Sequence, residues 1–184
     1  MHTAYIGMGS NIVSSAGSPE ATLALAAERL ESLGRVSRRS SLYSTEPVGL
    51  AAQPRFTNAV VGLETDLSPL ALLEKLLDIE KEFGRDRSLG TINGPRTLDL
   101  DILLIGDLRI QEQGLEIPHP RMMDRAFVLI PLHEVAPNLI HPSSRQSVTK
   151  LLEGLIEQPE SDDHAVVQVQ SAVWKSDSHG TPRK

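Results

Sequence analysis

Residues 94–106 read "GPRTLDLDILLIG". Leu100 and the run Ile102 to Ile105 have the look of a buried strand, yet Asp99 and Asp101 stand at its start and Arg96 comes just before it. Side chains of a strand alternate between faces, so Asp99 and Asp101 project from one face, about 6 to 7 Å apart along the chain. Two hard anions so placed suit Mg²⁺, which prefers oxygen, keeps several waters and binds through one or two carboxylates plus substrate phosphates. The plainer alternative is a solvated strand end, and the adjoining apolar run weighs against it.

Working outward, the chain supplies partners for that strand. "AYIGMG" (4–9) reads as a short buried strand, with "GMGSN" as the tight turn into a helix. "SPEATLALAAERLESLG" predicts that helix: Ser18 caps it, Pro19 takes the first helical position, Glu20 lies in the first turn and Gly34 stops it. "RVSRRSSLYSTEP" (35–47) and "FTNAVVGLET" (56–65) predict two strands of a wide hairpin, with Pro47, Gly49 and Pro54 in the long connection. "SPLALLEKLLDIEKEFG" (68–84) predicts a second amphipathic helix, marked by Leu70, Leu73, Leu77 and Ile79.

The resulting order, β-α-β-β-α-β, is the split βαβ arrangement, an α+β ferredoxin-like core with a mainly antiparallel sheet. "RAFVLIPLHEVAP" (125–137), closed by Pro137, and a segment at 147–155 predict extra C-terminal helices. One domain over 1–157 is expected, followed by a polar tail, 158–184, in which "AVVQVQSAVW" (165–174) reads as an edge strand or a loosely docked segment.

A net charge of -6 argues against nucleic-acid binding. Arginines nevertheless gather: Arg85, Arg87, Arg96, Arg109, Arg121 and Arg125 lie in a stretch without lysine. The planar guanidinium suits phosphate oxygens, which points to an anionic ligand. Cysteine is absent, excluding disulfide and thiolate chemistry and fitting a cytoplasmic protein. No apolar run is long enough for a membrane span. G-x-x-x-x-G-K-[ST], a third glycine after Gly7 and Gly9, zinc-ligand spacing and G-x-S-x-G are all missing.

"GPRTLDLDILLIG", followed by "IPHPRMMDRAFVLIPLHEVAP", resembles the signature of the 6-hydroxymethyl-7,8-dihydropterin pyrophosphokinase family. "AYIGMGSN", "SSLYSTEPVG", "QPRFTNAVVGLET" and "IEKEFGR" extend the resemblance in order. It implies the ferredoxin-like fold just read and transfer of pyrophosphate from ATP to the pterin alcohol, releasing AMP; a monomer is expected. Asp99 and Asp101 would hold two Mg²⁺ ions. Arg85, Arg87 and Arg96 would serve catalysis and, with Ile102, His119 and Arg125, bind ATP. Thr45, Pro47, Val48, Phe56, Asn58 and Phe127 would hold the pterin, the two phenylalanines stacking on its faces. The resemblance also implies a lid over residues 85–93, although Asn93 stands where many relatives have tryptophan, and Gly114 and Glu116 stand where some offer an arginine and a hydroxyl.

Two readings from other classes compete. An RNA-recognition domain would carry aromatic-rich strands, absent here. A metabolite-binding regulatory domain without catalysis would have no use for paired acids beside clustered arginines.

Overall fold

A computed structural model of the chain describes residues 1–47, 52–86, 94–158 and 166–177. Its central sheet is built on β1 (His2–Ser10), which pairs antiparallel with β4 (Phe56–Thr65) on one side and β5 (Asp99–Ile105) on the other. β2 (Arg35–Arg39) and β3 (Leu42–Thr45) follow one another along the free side of β4, separated by Ser40 and Ser41. The pairing order is β5-β1-β4-β3, with β2 also on β4, which is the ferredoxin-like arrangement. β6 (Ile110–Glu112) and β7 (Leu115–Ile117) form a separate small hairpin around Gly114, whose positive φ of 85° suits glycine.

Two helices cover one face. α1 (Pro19–Leu30) begins with the Ser18 hydroxyl accepting from the Ala21 N–H, and α2 (Pro69–Glu82) with Ser68 accepting from Ala71. Proline at the first helical position fits both starts, because that N–H has no intrahelical partner. α1 ends at Leu30, ahead of Gly34. Leu70 is exposed, and the buried stripe of α2 is Leu72, Leu76 and Ile79: Ile79 is as expected, but the leucines lie one position earlier than the expected Leu73 and Leu77. These pack against Ala4, Ile6, Met8, Val61, Leu63, Leu100 and Ile102 from the sheet. Each large aliphatic side chain taken from water there contributes about 1.5–3 kcal/mol.

The other face receives α3 (Ala126–Val135), which packs with α4 (Val148–Ile156) and, through Val128 and Leu132, against Val60, Leu103 and Leu104. A 3₁₀ turn at Met122–Asp124 precedes α3. β8 (Val167–Val169) adds an antiparallel edge to β3, as one of the two readings of 165–174 expects, and Trp174 enters the core beneath α1 and α2. α3 spans only part of its face, and beyond its N-terminal end the sheet is open.

Candidate active site

Strand register creates that open area. Gly9 of β1 pairs with Asn58 of β4 on one side and with Asp99 of β5 on the other. One row along, Gly7 pairs with Val60 and with Asp101. Cross-strand partners point to the same face, so both acids and Asn58 rise from the face that α3 packs on. Neighbouring strands lie about 4.8 Å apart, so Asn58 and Asp99 stand roughly 10 Å from each other across a floor of glycine. "GMGSN" is therefore strand through Ser10 rather than a turn, and its glycines keep the floor low. A Cβ on Gly9 would lie 3.1 Å from Asn58 Oδ1, and one on Gly7 3.2 Å from a Leu103 methyl.

A cavity of about 430 Å³ stands on this floor. Thr45, Phe56 and Asn58 border one side, Arg85, Arg96, Asp99 and Asp101 another, and His119, Arg121, Arg125 and Phe127 close it from the α3 side. Asn58 Nδ2 donates to Thr45 Oγ1 at 2.8 Å, which leaves Oδ1 as the acceptor turned toward Gly9. Asp99 takes Arg96 Nη1 on Oδ2 at 2.7 Å and faces Arg85 Nη2 from Oδ1 at 3.6 Å. The Arg96 guanidinium also lies 5.3 Å from the Phe56 ring centre, and Arg125 lies 5.3 Å from that of Phe127. Each aromatic thus carries a cation on its face.

Asn11, buried at the end of β1, fixes the loop that carries Arg96. Its Oδ1 accepts from the Arg96 N–H at 2.8 Å, while Nδ2 donates to Gln53 Oε1 and the Pro54 carbonyl, both at 3.0 Å. Glu80, buried on α2, accepts from the Leu100 N–H at 2.8 Å and so secures β5 between the two acids.

On the far side, the His119 N–H donates to the Leu103 carbonyl at 2.8 Å, seating the loop on β5. Burial, then the charges of Arg125 and Arg121, hold the imidazole below its usual range, with Asp99 and Glu116 opposing. Nδ1 accepts from the Arg121 N–H at 3.2 Å, so the neutral ring carries its proton on Nε2. Burial and the Arg121 charge likewise depress Arg125. α3 starts beside it with no side chain capping its first amides, an end whose dipole favours anions.

A wall of arginines and carboxylates thus faces a polar, aromatic-flanked pocket. The family 7,8-dihydro-6-hydroxymethylpterin-pyrophosphokinase (HPPK) matches residues 5–137. The chain belongs to this family. Among its relatives are the 2-amino-4-hydroxy-6-hydroxymethyldihydropteridine pyrophosphokinases of Haemophilus influenzae and Pseudomonas aeruginosa. The first is 45% identical over 154 residues, covering 83% of this chain and 92% of the relative. The second is 47% identical over 141 residues, covering 77% and 85%. In fold the chain is similar to the crystal structure of a Plasmodium falciparum HPPK-DHPS triple mutant, with a TM-score of 0.67 at 17% identity over 83% of this chain and 44% of that longer one.

Of the residues that the HPPK resemblance implies, Thr45, Phe56, Asn58, Arg85, Arg96, Asp99, Asp101, His119, Arg125 and Phe127 all border the one cavity. Val48, Arg87 and Asn93, with most of the expected lid, lie outside the described residues. Pro47 is buried and does not border the cavity. Ile102, expected to contact ATP, does not border the cavity: its side chain is in the α1 and α2 core, on the opposite face from Asp101, which leaves its main chain for such a contact. Sequence reasoning missed the glycine floor, Asn11, Glu80 and the position of Arg121. Asn11 follows directly on the first strand pattern, which is the one local signal it offered.

Proposed function

We propose that this chain transfers pyrophosphate from ATP to 6-hydroxymethyl-7,8-dihydropterin in folate biosynthesis, giving AMP and the pterin diphosphate. The observation that carries the reading is the row Asn58, Gly9, Asp99, which sets a polar anchor and a paired-acid platform on either side of an open floor. Membership of the HPPK family supports the same substrates.

In this reading Asn58 Oδ1 accepts an N–H from the amino-pyrimidine edge of the pterin, Thr45 holding the amide in that orientation. Phe56 and Phe127 flank the ring. The hydroxymethyl group then lies over Gly9, directed toward Asp99 and Asp101. Its oxygen attacks the β-phosphorus in line, the bond from that phosphorus to the α-phosphate oxygen breaks, AMP departs with the electron pair, and the alcohol proton is released. Positioning and charge neutralisation carry such a transfer, with no covalent intermediate on the protein.

The donor set fits magnesium. Asp99 and Asp101 are partly exposed carboxylates on one face, and among the described residues no cluster of three or more His, Cys, Asp or Glu forms a closed protein cage. Two carboxylates completed by phosphates and waters is the usual Mg²⁺ arrangement. Bound there, two Mg²⁺ ions would offset the charge that builds on the phosphates. Arg96 and Arg85, tied to Asp99 in the structure, would exchange a carboxylate for phosphate oxygens, and His119 Nε2–H and Arg125 would donate from the opposite side.

Incubation with Mg²⁺, ATP and the hydroxymethyl pterin is expected to yield AMP and the pterin diphosphate in equal amounts. Omitting the pterin should abolish AMP formation. No AMP with all three present would refute the reading.

A further inference from the structure

Among the described residues, the cavity is bordered by Arg85, Arg96, Arg121 and Arg125. Three of these are engaged: Arg85 and Arg96 with Asp99, and Arg125 over the Phe127 ring. The guanidinium of Arg121 is exposed and has no ion-pair, hydrogen-bond or ring partner among the described residues. Its main chain, in contrast, is held firmly. The Arg121 N–H donates to His119 Nδ1 at 3.2 Å, the next N–H donates to the His119 carbonyl at 3.1 Å, and Met122 is 0% exposed beside Val60 and Leu103.

A fixed stem thus aims an uncommitted cation at a space already bordered by cations. Its charge works against its neighbours, depressing both His119 and Arg125. Like charges gathered around a cavity cost free energy that a bound anion relieves, and this cost is concentrated where the polyphosphate is expected.

We infer that Arg121 is a further catalytic residue, its guanidinium binding phosphate oxygens of ATP from the α3 side while Arg85 and Arg96 approach from the Asp99 side. The inference rests on the reading of the cavity as an ATP site. The planar fork can hold two oxygens at once, and the exposed position lets the side chain swing to the phosphates without unpacking anything.

The test compares Arg121→Ala and Arg121→Lys with the parent chain. Arg121→Ala is expected to weaken binding of Mg²⁺ with α,β-methylene ATP by about tenfold or more, the scale of one lost charge-assisted hydrogen bond. AMP binding should weaken much less, pterin binding should stay within about twofold, and kcat/KM for ATP should fall at least as far as the analogue affinity. Arg121→Lys should recover part of the loss, restoring charge without the fork. Thermal stability of the free protein should not fall, because the side chain is exposed and its removal only relieves repulsion. Unaltered analogue affinity and kcat/KM in Arg121→Ala would overturn the inference, and so would equal losses for pterin and nucleotide. A parent chain that neither binds the analogue nor forms AMP refutes the ATP reading itself; a competent parent beside an unaffected variant refutes only the role of Arg121.

Discussion

Gly9 lacks a side chain, and this lets Asn58 and Asp99 share one space: the nearest heavy atom to a Cβ there would be Asn58 Oδ1. The acids across that floor carry the first prediction. Asp99→Asn and Asp101→Asn keep the shape and remove the charge that offsets Mg²⁺, so each should fold normally and lose about a hundredfold or more in AMP formation, several kcal/mol of charge stabilisation. Parental rates at saturating Mg²⁺ would remove the carboxylates from the mechanism. His119 carries the second. Its folded pKa lies below the unfolded value of about 6.5, so between the two the unfolded chain binds a proton that the folded chain does not. Its contribution to stability is thus fully present above pH 6.5 and declines as the pH falls through and below that value. NMR titration of the free protein should give His119 a midpoint under 6.5, and a midpoint above it would contradict the electrostatic picture.

At the scale of elements, α3 holds two walls together. Phe127 borders the cavity near its start, while near its other end Glu134 accepts from the Ser41 N–H and Oγ–H, each at 2.8 Å, and from the Tyr43 O–H at 3.0 Å. Burial and the Glu134 charge push the Tyr43 hydroxyl well above its usual range. β3 runs on from these residues to Thr45, the partner of Asn58. Glu134→Ala would leave several polar groups without an acceptor. It is expected to cost about 1–3 kcal/mol in denaturant unfolding and to weaken pterin binding more than nucleotide binding. Glu134→Gln keeps an acceptor and should lose less of both. An unchanged unfolding midpoint in Glu134→Ala would show that the helix and β3 are held by apolar packing alone.

At the scale of the molecule, the C-terminal segment closes the sheet edge on which β3 lies. β8 pairs with β3, Gln168 Nε2 donates to Ser41 Oγ at 2.9 Å, and Trp174 Nε1 donates to the Ser40 carbonyl at 2.7 Å. The Arg39 N–H donates to Asp177 Oδ2, and the Asp177 N–H donates back to the Arg39 carbonyl, both at 2.9 Å. Four ties thus meet where β2 passes into β3. Trp174 is the one tryptophan of the chain and is 7% exposed, so native fluorescence should be that of a buried indole and should shift to the red on unfolding. Trp174→Ala should cost about 3–5 kcal/mol. A solvent-like emission from the native protein would contradict the docking.

The helix starts at Ser18 and Ser68, the strand at 56–65 and the shared face of Asp99 and Asp101 were all legible in the amino-acid order. Each depends on caps and periods spanning a few neighbouring residues. The same order left Gly7 and Gly9 looking like a turn and made Leu70 resemble core. It gave Ile102 no face relative to the cavity, and "AVVQVQSAVW" no firm place. These were decided by tertiary structure, because a glycine becomes a floor only when Asn58 and Asp99 pair on either side of it. An arginine such as Arg121 becomes an open cation only when its neighbours in space already have partners. Local chemistry determined which elements form, and long-range register determined which of their side chains meet.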